Sequence, residues 1–261
     1  MKPYLALARV RARAALAYRF SFVLGMFAML FQLFAMMAIW RVMLSSGTAA
    51  GFDWPHMKAY LLVGFFSSVL VTGISEWGLA GRVLDGRVAL DLTKPVDFQT
   101  ARFAESIGSA WAEILAAVVV SAGVLLVTGP IPVPPAGTLV LFGLSLVAVV
   151  PLKFLVVYLT SLICFYTQNY LGVLWSRQAI VSLLSGALVP LTFLPGWLQA
   201  VAAVLPFASL ASTPGLIFVG QATGSTALEL VGLQVFWAIV LWFAGRLFFS
   251  RAVRQITIHG G

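Results

Sequence analysis

Charge is what this 261-residue chain has least of. Asp, Glu, Lys and Arg make up 9% of it, while 61% is hydrophobic and the mean hydropathy is +1.03. Soluble domains usually carry about 25% charged residues, so a water-facing globule is excluded and the chain is read as an all-α integral membrane protein. Histidine and cysteine are also nearly absent. His56, His259 and Cys164 cannot build a zinc set, a thiol–histidine pair or a serine triad, and the two histidines are expected on opposite faces of the membrane. A lone cysteine excludes an intrachain disulfide. The loop G-x-x-x-x-G-K-[ST], which cradles nucleotide phosphates, is missing as well. No catalytic residue, metal ligand or cofactor is therefore expected in this chain.

What is present is apolar sequence in long pieces. A hydrocarbon core about 30 Å thick needs about 20 apolar residues per helix, and six stretches qualify as spans: 20–44, 57–77, 106–128, 138–165, 171–194 and 228–249. Between the third and fourth, the four prolines of GPIPVPPAG (129–137) forbid a continuous helix. Pro151 is expected to kink the fourth span. All 261 residues then form a single transmembrane domain.

Lys and Arg set the orientation, because loops rich in them stay cytoplasmic. With the N-terminus inside, thirteen of the sixteen fall on inner segments: Lys2, Arg9, Arg11, Arg13, Arg19, Arg82, Arg87, Lys94, Arg102, Arg177, Arg246, Arg251 and Arg254. Arg41 and Lys58 fall near the outer face, and Lys153 falls within a span. Both termini are thus expected in the cytoplasm. The net charge of +8 is assigned to anionic lipid headgroups rather than to nucleic acid.

Residues 1–19 read as an interfacial amphipathic helix on the inner leaflet; the alternative is a disordered basic tail. Lys2, Arg9 and Arg13 share one helical face, with Arg11 out of pattern. A cleaved signal is the wrong reading, because the apolar run that follows is about 25 residues, beyond the usual 7–15.

Inside the spans, an ionisable residue is costly and calls for a partner. Glu105 sits at the inner edge of the third span. Glu113 and Lys153 arrive at similar depth on antiparallel neighbours, and they are the candidate intramembrane pair; snorkelling of Lys153 beside a neutral Glu113 is the alternative. The segment 185–224 carries prolines at 190, 195, 206 and 214 and neither Lys nor Arg. Only two short helices fit, about 196–204 and 207–218, and pieces too short to span are expected to dip in and return. Pro190, Pro195, Trp197, Pro206, Phe207 and Pro214 are the candidate outer gate.

The charged interruption AGRVLDGRVALDLTKPVD (80–97) lies between the second and third spans. Arg82, Asp85, Arg87, Asp91 and Lys94 hold it in the cytoplasm, Gly86 permits a turn and Pro95 ends the second short piece. Val88, Leu90 and Leu92 are left as a small apolar docking surface; the alternative is a solvated loop whose charges fix topology.

Six spans, a basic amphipathic N-terminus, a polar insert after span two, and the pattern Ser185-Gly186, Pro190-Leu191, Pro195, Trp197-Leu198, Leu205-Pro206-Phe207, Pro214 and Gly220 together resemble the permease subunits of type-2 ABC exporters. The family's pattern after span two, a glycine, an aliphatic run and a basic-proline pair, appears as Gly86, Leu90, Leu92 and Lys94-Pro95. The sequence departs from it at Asp91 and Thr93, where such runs are often aliphatic. The resemblance implies a bacterial-type inner membrane and a pore of two permease chains, identical or homologous. It also implies separate ABC ATPase subunits that bind ATP and Mg and receive a coupling helix from 80–97. Gln32, Ser182, Ser185 and Gly186 become candidates for the pathway or dimer seam; ordinary lipid-facing or intrabundle packing is the alternative for each. Apolar and aromatic lining suits a hydrophobic or amphipathic cargo. Two rivals stay open, an ion-coupled secondary transporter, for which Glu113 would be the acid, and a membrane-embedded enzyme.

Overall fold

A computed structural model describes residues 2–14, 19–45, 47, 50–70, 73–167 and 169–255, with side chains described for all of these except 2, 14, 19–22, 73–77 and 255. His259 lies outside the described residues, as do residue 1 and residues 15–18 of the expected interfacial segment. The described residues form eleven α-helices and no strand: α1 Lys2–Ala14, α2 Arg19–Met43, α3 Trp54–Val69, α4 Gly73–Leu84, α5 Val88–Leu92, α6 Phe98–Thr128, α7 Ala136–Leu162, α8 Tyr170–Leu184, α9 Gly196–Val204, α10 Ser212–Phe218 and α11 Gly224–Ala252. Among the described residues, four helical stretches are long and apolar enough to cross a membrane, Val23–Met43, Phe98–Thr128, Ala136–Phe165 and Gly224–Ala252.

The expected second and fifth spans differ from that. Residues 57–77 are divided between α3, of 16 residues, and α4, and α3 alone reaches about 24 Å at 1.5 Å per residue. The fifth stops at Leu184 after 15 residues, about 22 Å. Both endings have a tertiary cause. The Lys153 ammonium, carried by α7, donates to the carbonyl of Ser67 at 3.2 Å and to that of Ser68, so a cation caps the last turn of α3. At the end of α8, Gly186 takes φ +77°, and a Cβ there would lie 2.8 Å from the Tyr60 hydroxyl. Only glycine meets both conditions.

Lys58 does for α6 what Lys153 does for α3. Its ammonium is buried and donates to the carbonyls of Thr128, Gly129 and Pro130 at 2.9, 2.8 and 2.9 Å. These are orphan acceptors at the helix end, where the proline-rich loop begins. Its place on the side expected to be poor in basic residues therefore has a structural reason.

Among the described residues, two large apolar clusters hold the bundle, with two smaller ones beside them. One gathers Leu33, Met37, Trp40, Met57, Tyr60 and Val124 from α2, α3 and α6 with Phe52 from the segment before α3, and the Trp40 and Phe193 ring centroids are 4.8 Å apart. The other joins α6, α7 and α11 through Phe98, Phe154, Leu155 and Tyr158, with the Phe98 and Phe249 rings stacked at 4.5 Å.

α1 packs along the first half of α6. A Cβ on Gly108 would lie 2.2 Å from the Ala8 carbonyl oxygen, so the approach needs glycine. Trp111 Nε1 donates to Ala12 O at 3.1 Å, and the Asp97 amide donates to the Tyr4 hydroxyl at 3.2 Å. Arg11, out of pattern for a helix lying on lipid, is the residue that turns to α6.

Candidate functional site

The segment 80–97 is a helical hairpin built around one carboxylate. α4 runs through Leu84, the turn passes Gly86, and α5 adds five residues before Thr93 closes it with a hydroxyl bond to Leu90 O at 2.8 Å. α5 thus ends ahead of Pro95, and Asp97 caps α6 by accepting from the Thr100 amide at 2.8 Å. Asp91, the residue out of place in an aliphatic run, is 5% exposed. Arg82 reaches it at 2.7 Å, Lys94 at 2.7 Å and Arg102 at 3.8 Å. Burial alone would raise its pKa, but Lys94, Arg102 and Arg82 together hold it below the ordinary carboxylate value.

A second carboxylate extends the network across helices. Glu105 lies 3.0 Å from Arg102, 3.4 Å from Arg11 and 3.8 Å from Arg82, and the Arg102 guanidinium stands over the Phe98 ring at 5.3 Å. The cluster therefore ties α1, α4, α5 and α6 together through two acids shared among four cations. Arg102, Glu105 and Arg11 were not singled out as site residues. The i,i+3 spacing of Arg102 and Glu105 was the available signal.

The apolar residues of the hairpin divide. Val88 is 1% exposed and belongs to the core, anchoring α5 rather than docking anything. Leu90 and Leu92 are 67% and 45% exposed. Beside them, Arg87 and Asp85 form an exposed ion pair at the tip, and Pro95 is exposed.

The candidate pathway residues converge in a chamber between α2, α3, α7 and α8. One lobe of about 120 Å³ is lined by Gln32, Ser67, Ser68, Lys153, Arg177, Gln178, Ser182 and Ser185 together with apolar residues that include Val156, Val181, Leu188 and Leu210. A neighbouring lobe of about 190 Å³ shares Gln32, Ser68 and Gln178. Gly186 is not among the lining residues of either lobe; its carbonyl accepts from the Tyr60 hydroxyl at 2.8 Å. From the sequence Arg177 counts only for its charge and Gln178 has no assigned role, although Gln178, Ser182 and Ser185 fall at i, i+4 and i+7 along α8 and its C-cap. Lys153 borders the chamber while capping α3, and Glu113 is buried on α6.

At the α9–α10 end the proline-bounded residues fall into two groups. Pro190, Pro206 and Pro214 are buried, whereas Pro195 and Trp197 are exposed, Trp197 at 70%. α9 presents an apolar outer face. α10 is buried, tied to the end of α8 by the Ser212 amide donating to Ser185 O at 2.8 Å, and Gln234 of α11 donates to Ser209 O at 2.7 Å. Pro206 and Phe207 border an open apolar groove of about 590 Å³ between α7 and α8. Away from these regions, His56 Nδ1 lies 2.6 Å from Asp53 Oδ1 at the start of α3.

No curated protein matches the chain. Residues 20–260 match a family described as ABC-2 family transporter protein. With nearly the whole chain covered, the protein belongs to the ABC-2 transporter family and is a membrane transport component of it.

Proposed function

We propose that the chain is the membrane-spanning permease subunit of an ATP-driven exporter. In this reading α2, the broken pair α3 and α4, then α6, α7, α8 and α11 are six spans in a bacterial-type inner membrane, with both termini cytoplasmic. α1 lies at the inner leaflet with Arg9 and Arg13 exposed among anionic headgroups, and 80–97 is the cytoplasmic coupling element. α9 and α10 form the outer gate, with Trp197 at the lipid interface. Two such permease chains flank the pathway, and separate ABC ATPase subunits bind and hydrolyse ATP with Mg.

The observation that carries this reading is the build of the α4–α5 hairpin. Exposed Leu90, Leu92 and the Asp85–Arg87 pair sit on a tip whose base is locked by Asp91 and Val88. A push on the tip is passed through Arg82 and Glu105 to α6 and α1 as a rigid-body displacement, because packed helices move between discrete arrangements. The distribution of Lys and Arg supports the same orientation. Capture of a nucleotide-binding subunit by the tagged chain, followed by cargo-dependent ATP hydrolysis in liposomes, is the test. Full transport by the isolated chain without ATP would contradict the proposal.

A further inference from the structure

α7 and α11 pack side by side, and both belong to stretches long and apolar enough to cross a membrane. Between them runs a groove of about 270 Å³ that shares no lining residue with the chamber or with the groove between α7 and α8. Its floor is low and covered, with Ala148 and Leu155 buried and Pro151 and Ala238 partly so. Its rim is bulky and open, formed by exposed Val235, Ile239 and Phe243. Among the described lining residues none carries a charge, a hydroxyl or an amide.

Depth excludes water as the occupant. Val235 lies eleven residues from the start of α11 at Gly224, and Phe243 lies nine from its end at Ala252. The groove is thus about 13–17 Å from either end of the helix, within a hydrocarbon core about 30 Å thick. One turn beyond Trp242, Arg246 closes the stripe, its guanidinium standing over the Trp242 ring at 5.9 Å and tied to Asp97 at 3.5 Å. From Val235 to Arg246 is about 16 Å, close to the depth of one leaflet, half of that core.

Calibre and charge decide between occupants. Spread over the roughly 12 Å from Val235 to Phe243, 270 Å³ leaves a mean cross-section of about 22 Å². That suits a single polymethylene chain, whereas a helix is about 10–12 Å across. A second copy meeting this face through its own would set Arg246, Arg251 and Arg254, exposed at and just past the end of α11, against their counterparts. Like charges face to face are unfavourable, while phospholipid phosphates accept the same cations.

We infer that the groove between α7 and α11 is a binding site for one unbranched acyl chain of a membrane phospholipid, with the headgroup at the Arg246 end and the methyl end of the chain at Val235. Filling it restores dispersion contacts that a loosely ordered lipid leaves unmade. Because the chain exchanges one hydrocarbon setting for another, selection is by shape and packing rather than by transfer from water. A methyl-branched chain is too wide for the floor between Ala148 and Ala238. The inference goes beyond the export function and needs only the membrane setting that family membership gives.

The test uses the purified full chain in nanodiscs of methyl-branched phosphatidylcholine, doped with straight-chain phosphatidylcholine that carries a photoreactive diazirine near either the carboxyl or the methyl end of one chain. Adducts are mapped by mass spectrometry. Labelling over Val235–Phe243 is expected at about three times or more the level on exposed Ile114, Leu115, Val118 and Val119 near the middle of α6. The methyl-end probe should react nearer Val235 and the carboxyl-end probe nearer Phe243. Unlabelled straight-chain lipid should remove the enrichment, and Ala238→Leu or Ala148→Leu, which raise the floor, should bring labelling down to the α6 level in a chain of unchanged thermal stability.

Even labelling of the two stretches, or enrichment that unlabelled straight-chain lipid leaves in place, would overturn the inference without recourse to any variant. So would enrichment that persists in a folded Ala238→Leu or Ala148→Leu chain, or a reversed order of the two probes. Efficient interchain disulfide formation by Ile239→Cys in a Cys164→Ser chain would place a second copy in the groove and overturn it too. The assay contains neither ATP nor an ATPase, so its failure leaves the exporter reading, tested by subunit capture, where it stands.

Discussion

The two ends of the helical body are held by different chemistry. At the α4–α5 end, side chains pair with side chains, as Asp91 and Glu105 are shared among Arg11, Arg82, Lys94 and Arg102. At the α9–α10 end, side-chain donors reach backbone carbonyls, with Trp40 on Leu188 at 3.1 Å, Tyr60 on Gly186, Gln234 on Ser209 and Lys58 on the end of α6. Shared ion pairs can exchange partners through small rotations. Carbonyl-directed bonds end a helix or loop in one geometry. The first end is suited to passing on a displacement, and the second to holding still while it happens.

The largest effect is expected from breaking the ionic end. Asp91→Asn takes the carboxylate from exposed Lys94 and leaves buried Arg102 and half-buried Arg82 with Glu105 alone; it should cost about 3–5 kcal/mol, read as a fall in thermal stability and faster hydrogen exchange over 85–95. Acid should do the same. Because the folded-state pKa of Asp91 lies below its unfolded value, its stabilisation is fully present above the unfolded value, near pH 4, and is lost as pH falls through the lower folded value. Hydrogen exchange should show 85–95 loosening below about pH 4, while 205–218, held by carbonyl acceptors, keeps its protection.

The matching cut at the other end is Lys58→Met, which strips three carbonyls of their donor. A loss of about 1–3 kcal/mol is expected, insensitive to salt, since no opposite charge is involved. If salt weakened the wild-type protein equally at both ends, the contrast between them would fail. Smaller still is the coupling proposed between Glu113 and Lys153. A double-mutant cycle with Glu113→Gln and Lys153→Met should give an interaction of at least about 0.5 kcal/mol. No rescue in the double variant relative to either single one would sink the pairing.

The contrast also marks what could be read from sequence. α9 was legible to the residue because Pro195 and Pro206 bracket it, and the hairpin turn because Gly86 sits between two short pieces. The end of α3 was not legible. It depends on Lys153, more than eighty residues away, delivering an ammonium to Ser67 and Ser68, and local periodicity carries no trace of that. Val88 looked like a docking residue because a five-residue helix has too few positions to reveal which face is buried. Arg11 breaks the amphipathic pattern of α1 because its partner, Glu105, is on α6 and distant in sequence. The polar stripe on α8 is legible in part through Ser182 and Ser185, whereas Arg177 carries only a topology signal in the sequence.

The central claim, that the hairpin tip is where an ATPase engages, is tested most directly by Arg87→Glu and Leu90→Asn in the complex with its captured ATPase. Both side chains are exposed, so membrane insertion and thermal stability should stay within about 0.5 kcal/mol of the parent. Cargo-dependent ATP hydrolysis and transport should fall together in both variants. Unchanged transport and ATP hydrolysis in both would contradict the account and leave residues 80–97 as a loop that does no more than set topology.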